Sequence, residues 1–164
     1  MAPLKVGDKL PDGTVKGLDM KDISIKELTS GKKVIIFGVP GAFTPVCSSQ
    51  HLPGYIKKHD EIKSKGVDTI AILAPNDPFV MKAWAEQYPD SEGKILYLAD
   101  GTMDYTKKLG FEVDLSGHGL GVRLRRFSLL AEDGVVKELN LEESGGLTTS
   151  GADEMCTMLP MAGQ

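Results

Sequence analysis

Hydrophobic positions in this chain fall into short continuous runs, separated by stretches in which they recur at helical spacing. The run Val34-Ile35-Ile36-Phe37-Gly38-Val39 is apolar at almost every position and rich in β-branched residues. It predicts a strand buried on both faces and therefore central in a sheet. Before it, Pro11-Asp12-Gly13 and Leu18-Asp19 interrupt short alternations, which predicts a small β-hairpin region followed by a helical turn near Ile25–Leu28. After it, Pro40-Gly41 ends the strand and Thr44-Pro45 opens a helix, with Thr44 as N-cap and Pro45 at the first helical position. Leu52, Tyr55, Ile56 and Ile62 then mark one buried face, Pro53 should kink the helix, and Lys63, Lys65 and Gly66 end it.

The same pattern continues downstream. Val67–Ala74 reads as a second strand, and Asn76-Asp77-Pro78 caps and opens a helix with Val80, Met81, Trp84 and Tyr88 on one side. Ile95–Ala99 is a third short strand, and Thr102–Leu109 a helix stopped by Gly110. Val122–Ala131 and Val135–Leu141 form a hairpin around Asp133-Gly134, and a last helix lies near Gly151–Leu159. The order β-α-β-α-β-α-β-β-α starts parallel and finishes antiparallel. The expected class is α/β, a mixed central sheet flanked by helices on both faces.

Composition narrows the function classes. A length of 164 residues suits a single domain spanning residues 1–164. A net charge of −4 leaves no basic footprint for nucleic acid and no cationic face for anionic lipid, and no apolar run approaches a membrane span. The two cysteines, Cys47 and Cys156, and the three histidines lack the paired spacing of a zinc site. Met1-Ala2-Pro3-Leu4-Lys5 has neither a signal-peptide core nor an Arg-rich transit pattern, and the expected location is cytoplasmic.

The chemistry centres on Cys47. A cysteine in the first turn of a helix faces unpaired backbone N–H groups and the positive end of the helix dipole, which favour the nucleophilic thiolate. A buried structural cysteine fits the same position. Thr44, three residues earlier, can cap the Cys47 N–H and also reach an oxygen beside the sulfur. Its place in Thr44-Pro45-Val46-Cys47, where a thiol-exchange site would carry Cys-x-x-Cys, removes internal disulfide chemistry. Alternation along Val122–Leu130 puts Val122, Leu124, Arg126, Ser128 and Leu130 on one face, so Arg126 sits among apolar side chains and needs an anionic partner, unless it reaches solvent at a sheet edge. Arg123 and Arg125 fall on the other, solvated face. His51, one turn after Cys47, shares its side and reads as a site residue or as plain helix surface. Phe43, Phe79 and Trp84 read as core or subunit-interface aromatics, and Asn76 and Asp77 as helix caps.

Phe37-Gly38-Val39-Pro40-Gly41-Ala42-Phe43-Thr44-Pro45-Val46-Cys47 resembles the Pro-x-x-x-Thr-x-x-Cys pattern of peroxiredoxins, with Pro40, Thr44 and Cys47 filling it. His51-Leu52-Pro53-Gly54 and Gly121-Val122-Arg123-Leu124-Arg125-Arg126-Phe127-Ser128 are similar to the type II, peroxiredoxin-5-like branch. The similarity runs from Val6-Gly7-Asp8 to the last helix. It implies a thioredoxin-like fold and reduction of hydrogen peroxide and alkyl hydroperoxides, with no metal or organic cofactor. In that family's terms, Cys47 is the peroxidatic cysteine, Pro40 shields the intermediate, Thr44 positions the peroxide, and Arg126 holds the thiolate and the developing charge. The resemblance also implies a homodimer paired through the active-site edge, a use that Phe43 and Phe79 fit.

Two departures bear on turnover. Where some relatives carry a resolving cysteine, this chain has Ile72; where others carry one, it has Thr148-Thr149. Cys156, beside Met155, Met158 and Leu159, matches neither place and reads as packing. The expected cycle therefore uses one cysteine, with glutathione and glutaredoxin or a thioredoxin as reductant. The alternatives are a redox sensor that relays oxidation from Cys47 to a partner protein, and a redox-inactive scaffold of the same fold.

Overall fold

The computed structural model describes residues 2–143 and 145–160; Met1 and the last four residues of the chain lie outside them. Two short strands, β1 (Thr14–Lys16) and β2 (Asp22–Ser24), form the expected first hairpin, and α1 (Ile25–Thr29) follows. Then come β3 (Lys33–Gly38), α2 (Leu52–Ser64), β4 (Thr69–Ala74), α3 (Pro78–Glu86), β5 (Leu96–Ala99) and α4 (Asp104–Leu109). Four strands follow, β6 (Glu112–Asp114), β7 (Val122–Leu124), β8 (Phe127–Glu132) and β9 (Val135–Leu141), and α5 (Ala152–Met158) ends the fold.

The main sheet has the order β2-β1-β5-β4-β3-β8-β9. Strands β3, β4 and β5 are parallel, and β8 and β9 pair antiparallel beside β3. The apolar run of β3 feeds both faces. Ile35 and Phe37 pack against α2, α3 and α5, while Val34 and Ile36 pack against α1 and α4. This is the mixed sheet with helices on both faces that the pattern predicts. The β8–β9 hairpin closes through Asp133 (φ 50°) and Gly134 (φ 78°), the two left-handed positions a two-residue turn of this twist requires. Asp77 accepts from the N–H groups of Phe79 and Val80 and caps α3, with Pro78 opening the helix.

Three expectations are corrected. The stretch Val122–Ala131 is not one strand. It breaks at Arg125-Arg126, because β7 pairs with β6 in a separate two-stranded sheet while β8 joins the main sheet. Pro53 does not kink a long helix from within. It sits in the first turn of α2, and the irregularity lies before it, in a π turn at Cys47–His51 where the Leu52 N–H reaches the Cys47 carbonyl. Proline has no N–H and crowds the carbonyl four residues back, so the chain widens by one residue ahead of it. Asn76 caps no helix; its side-chain oxygen accepts from the Ala42 N–H at 2.9 Å.

Candidate active site

The loop after β3 carries Pro40, Gly41, Ala42 and Phe43, and the helical segment begins at Pro45. Phe43 has φ 63°, a left-handed conformation that costs a bulky residue about 1–2 kcal/mol. The loop is held against that cost at several points. Asn76 takes the Ala42 N–H, Arg123 Nη1 donates to the Pro40 carbonyl at 3.2 Å, and Arg123 Nε donates to the Leu120 carbonyl at 2.8 Å. Arg123 lies so close over Gly41 that a Cβ there would meet Nη1 at 2.8 Å. Arg123 and Arg125 are therefore not the solvated pair that alternation suggests. Both are half-buried and bound to carbonyl oxygens, those of Pro40 and Leu120 for Arg123 and that of Glu142 for Arg125.

Cys47 lies in the first turn of this helical segment and is 1% exposed. The Thr44 hydroxyl donates to the Gly41 carbonyl at 2.7 Å. The expected cap, with that hydroxyl accepting from the Cys47 N–H, is not among the hydrogen bonds of the described residues. The Thr44 carbonyl instead receives the Ser48 N–H at 3.0 Å. The hydroxyl oxygen keeps its acceptor lone pairs.

Arg126 stands where β7 ends and β8 begins, and it is 3% exposed. Its Nη2 donates to Cys47 Sγ at 3.2 Å across 79 positions of sequence. Its Nη1 donates to His51 Nδ1 at 2.9 Å. Among the described residues it forms no salt bridge. A buried guanidinium without a carboxylate calls for another acceptor, and the group within reach is the Cys47 sulfur.

His51 is buried rather than on the helix surface. An arginine can only donate, so His51 Nδ1 is the acceptor and the ring proton sits on Nε2, which donates to the Ser150 carbonyl at 3.0 Å. Burial first, and then the Arg126 charge, lower its pKa from 6.5 to about 3, so the ring is neutral around pH 7. Ser150 is fixed in turn by Glu142, which is 2% exposed. The Glu142 carboxylate receives the N–H groups of Thr148, Thr149 and Ser150, each at 2.9 Å, and the hydroxyls of Thr148 and Ser150. Burial alone would raise its pKa, but these donors outweigh burial and hold it at about 2.

The described residues contain no cluster of three or more His, Cys, Asp or Glu side chains arranged to hold a metal ion. What the site contains is a sulfur at a helix entrance, a cation touching it, and a hydroxyl three residues away.

A family model named Redoxin matches residues 5–156. Peroxiredoxin-2C of Oryza sativa subsp. japonica is 53% identical over 163 residues, covering 97% of this chain and 100% of that protein. The chain belongs to the peroxiredoxins. They are thiol-dependent peroxidases, and this chain falls in their type II branch with a thioredoxin-like fold. Among solved structures, the reduced Prx3 of Vibrio vulnificus in complex with hydrogen peroxide superposes with a TM-score of 0.90 at 44% identity, over 96% of this chain and 99% of that one. Peroxiredoxin 5 of Alvinella pompejana superposes with a TM-score of 0.83 at 35% identity, over 94% and 97% of the two chains.

In this peroxiredoxin Pro40 and Thr44 lie in the loop that leads into the helical segment holding Cys47, and the fold adds Arg126. Sequence reasoning missed Asn76, Arg123 and Glu142 as parts of the support. Asn76 carried a usable signal, because an Asn-Asp-Pro string offers two cap candidates for one helix. Glu142 carried none, since a Glu-Glu pair after a strand reads as surface. Trp84 is core, with Nε1 donating to Ser48 Oγ at 3.0 Å. Phe43 and Phe79 are not core, being 54% and 71% exposed. Cys156 is a free, buried thiol on α5, packed among Met155, Leu159 and residues of α2. Burial first, and then the neighbouring Glu61, push its pKa up, away from the reactive thiolate form.

Proposed function

We propose that Cys47 is the peroxidatic cysteine and that Arg126, Thr44 and Pro40 complete its site. The observation that carries this is the buried Arg126 guanidinium, without a carboxylate partner among the described residues, donating to Cys47 Sγ at 3.2 Å. The Cys47 thiolate attacks one oxygen of hydrogen peroxide or an alkyl hydroperoxide. The O–O bond breaks, the leaving oxygen takes a proton and departs as water or an alcohol, and the sulfur is left as sulfenic acid. As charge moves from sulfur onto that oxygen, Arg126 and the Thr44 hydroxyl can follow it. Pro40, in the loop ahead of the helical segment, takes the shielding role that the family resemblance implies.

Reduction uses an external thiol. Cys156 is packed in the core with a raised pKa, and Thr148-Thr149 and Ile72 stand where relatives can carry a second cysteine. A thiol such as glutathione condenses with the sulfenic acid and releases water. A second thiol, delivered by glutaredoxin or by a thioredoxin, reduces the mixed disulfide and regenerates Cys47. The exposed aromatics Phe43, in the loop, and Phe79, in the first turn of α3, support pairing with a second copy through this edge.

Stopped-flow oxidation by dilute hydrogen peroxide, followed by recovery with glutathione and glutaredoxin or with a thioredoxin system in parallel, tests the cycle. Rapid oxidation that neither system reverses would overturn this reductant assignment and favour relay of oxidation to a partner protein.

A further inference from the structure

Glu142 is a buried carboxylate that the proposed reaction does not use, yet it is tied to the site twice. Along the backbone, its N–H donates to the Arg126 carbonyl at 3.0 Å, extending the β8–β9 pairing, and its own carbonyl receives Arg125 Nε. Through its side chain, it accepts five hydrogen bonds from residues 148–150, four of them on Oε2. Those bonds fix the Ser150 carbonyl, which then accepts from two groups, His51 Nε2 at 3.0 Å and the Tyr55 hydroxyl at 2.9 Å. With both lone pairs engaged, that carbonyl dictates the tautomer of His51. The opposite ring nitrogen is thereby left as the acceptor for Arg126 Nη1, and the other arm of the guanidinium turns to Cys47 Sγ.

We propose that Glu142 is a positioning residue that sets Arg126 against Cys47 by clamping the 148–150 loop and, through Ser150, locking His51 with its proton on Nε2. The assignment rests on Cys47 being the reacting sulfur. The clamp works by geometry rather than by charge. A glutamine can keep an oxygen at the four-donor position and turn its amide toward the Thr148 hydroxyl, which accepts as readily as it donates. An alanine releases the loop and leaves the N–H groups of Thr148, Thr149 and Ser150 without this acceptor.

The groups facing His51 define the accompanying pH readout. They are Arg126 from the β7–β8 junction, Cys47 from its own turn, Tyr55 from α2, Ser150 ahead of α5, and Glu142 after β9. With the loop clamped, the ring stays neutral and the Arg126 contact persists into acid. With the loop released, water reaches the ring, and a protonated His51 can no longer accept from Arg126.

The test combines nitrogen-15 NMR of the His51 ring in the wild-type protein with stopped-flow oxidation of wild type, E142Q and E142A by hydrogen peroxide. The wild type should show one neutral tautomer, protonated on Nε2, from pH 8 to pH 5. E142A should oxidise about tenfold to a hundredfold more slowly, the range expected for a displaced catalytic group. Its rate should fall further as pH drops through the ordinary histidine range, and E142Q should recover most of the loss. A His51 proton on Nδ1 in the wild type would overturn the proposal, and this measurement does not depend on any variant folding. So would an E142A rate within threefold of wild type, or an E142Q rate as low as that of E142A. A wild-type protein that does not react with peroxide would defeat the functional reading instead, while the ring measurement still decided the clamp.

Discussion

The imidazole of His51 receives Arg126 Nη1 on Nδ1 at 2.9 Å, so the ring on that side is an acceptor and has no room for a second proton. Burial and the adjacent guanidinium together keep it neutral down to a pKa of about 3. The unfolded chain binds that proton near the ordinary value of 6.5, so between those limits the unfolded state holds more protons. The contribution of the neutral ring to stability is therefore complete above pH 6.5 and lost as pH falls toward 3. Within that window the expected slope approaches about 1.4 kcal/mol per pH unit. Glu142, held at about 2 against an ordinary 4.5, adds a loss of the same sign below pH 4.5. Denaturant midpoints of wild type and His51→Asn at pH 7, 6 and 5 check this: the wild type should lose more stability than the variant. Parallel pH dependences would remove His51 as the cause.

Removing either of the two cysteine thiols should have unequal effects. Cys47→Ser should abolish peroxide consumption. Cys156→Ser should leave it largely intact with a glutathione-based reductant, because Cys156 packs in the core with its pKa pushed up. A steady-state assay with both reductant systems decides, and loss of turnover in the Cys156 variant would refute the one-cysteine cycle.

Arg126→Lys keeps the charge but loses the planar fork that serves His51 and Cys47 at once. The first oxidation step should slow by about a hundredfold or more, the usual cost of one donor at developing charge. Single-turnover kinetics followed by intrinsic fluorescence measure it. A rate unchanged by the substitution would take Arg126 out of the chemistry.

Thr44→Val removes a hydroxyl while keeping the shape, and Thr44→Ser keeps the hydroxyl. The valine variant should lose about a hundredfold in peroxide oxidation and the serine variant far less. Equal losses would mean that Thr44 matters only as the anchor to the Gly41 carbonyl.

Gly38 closes β3 where a Cβ would fall 2.2 Å from Phe127 Cε1 and 2.7 Å from Leu124 Cδ2. Both side chains are fully buried, so neither can give way freely. Gly38→Ala should destabilise the fold by about 1–3 kcal/mol through overpacking, read from the urea midpoint. An unchanged midpoint would show that this corner of the core is more compliant than its packing implies.

The sequence by itself determined what neighbouring residues settle among themselves. The apolar run of β3, the Asp77-Pro78 start of α3, the Asp133-Gly134 turn and the helix entrance holding Cys47 all follow from local propensity, capping and turn chemistry. Alternation already singled out Arg126, whereas tertiary structure decided how Arg123 and Arg125 are used and what holds Arg126 at the sulfur. Period-two alternation holds only while a strand stays in one sheet, and here the chain leaves the β6–β7 pair and enters the main sheet at Arg125-Arg126. Arg126 meets Cys47 across 79 residues, His51 meets Ser150 across 99, and Asn76 meets Ala42 across 34. A hydrogen bond between groups so far apart in sequence leaves no periodic trace, because it exists only once the sheet has brought their backbones together.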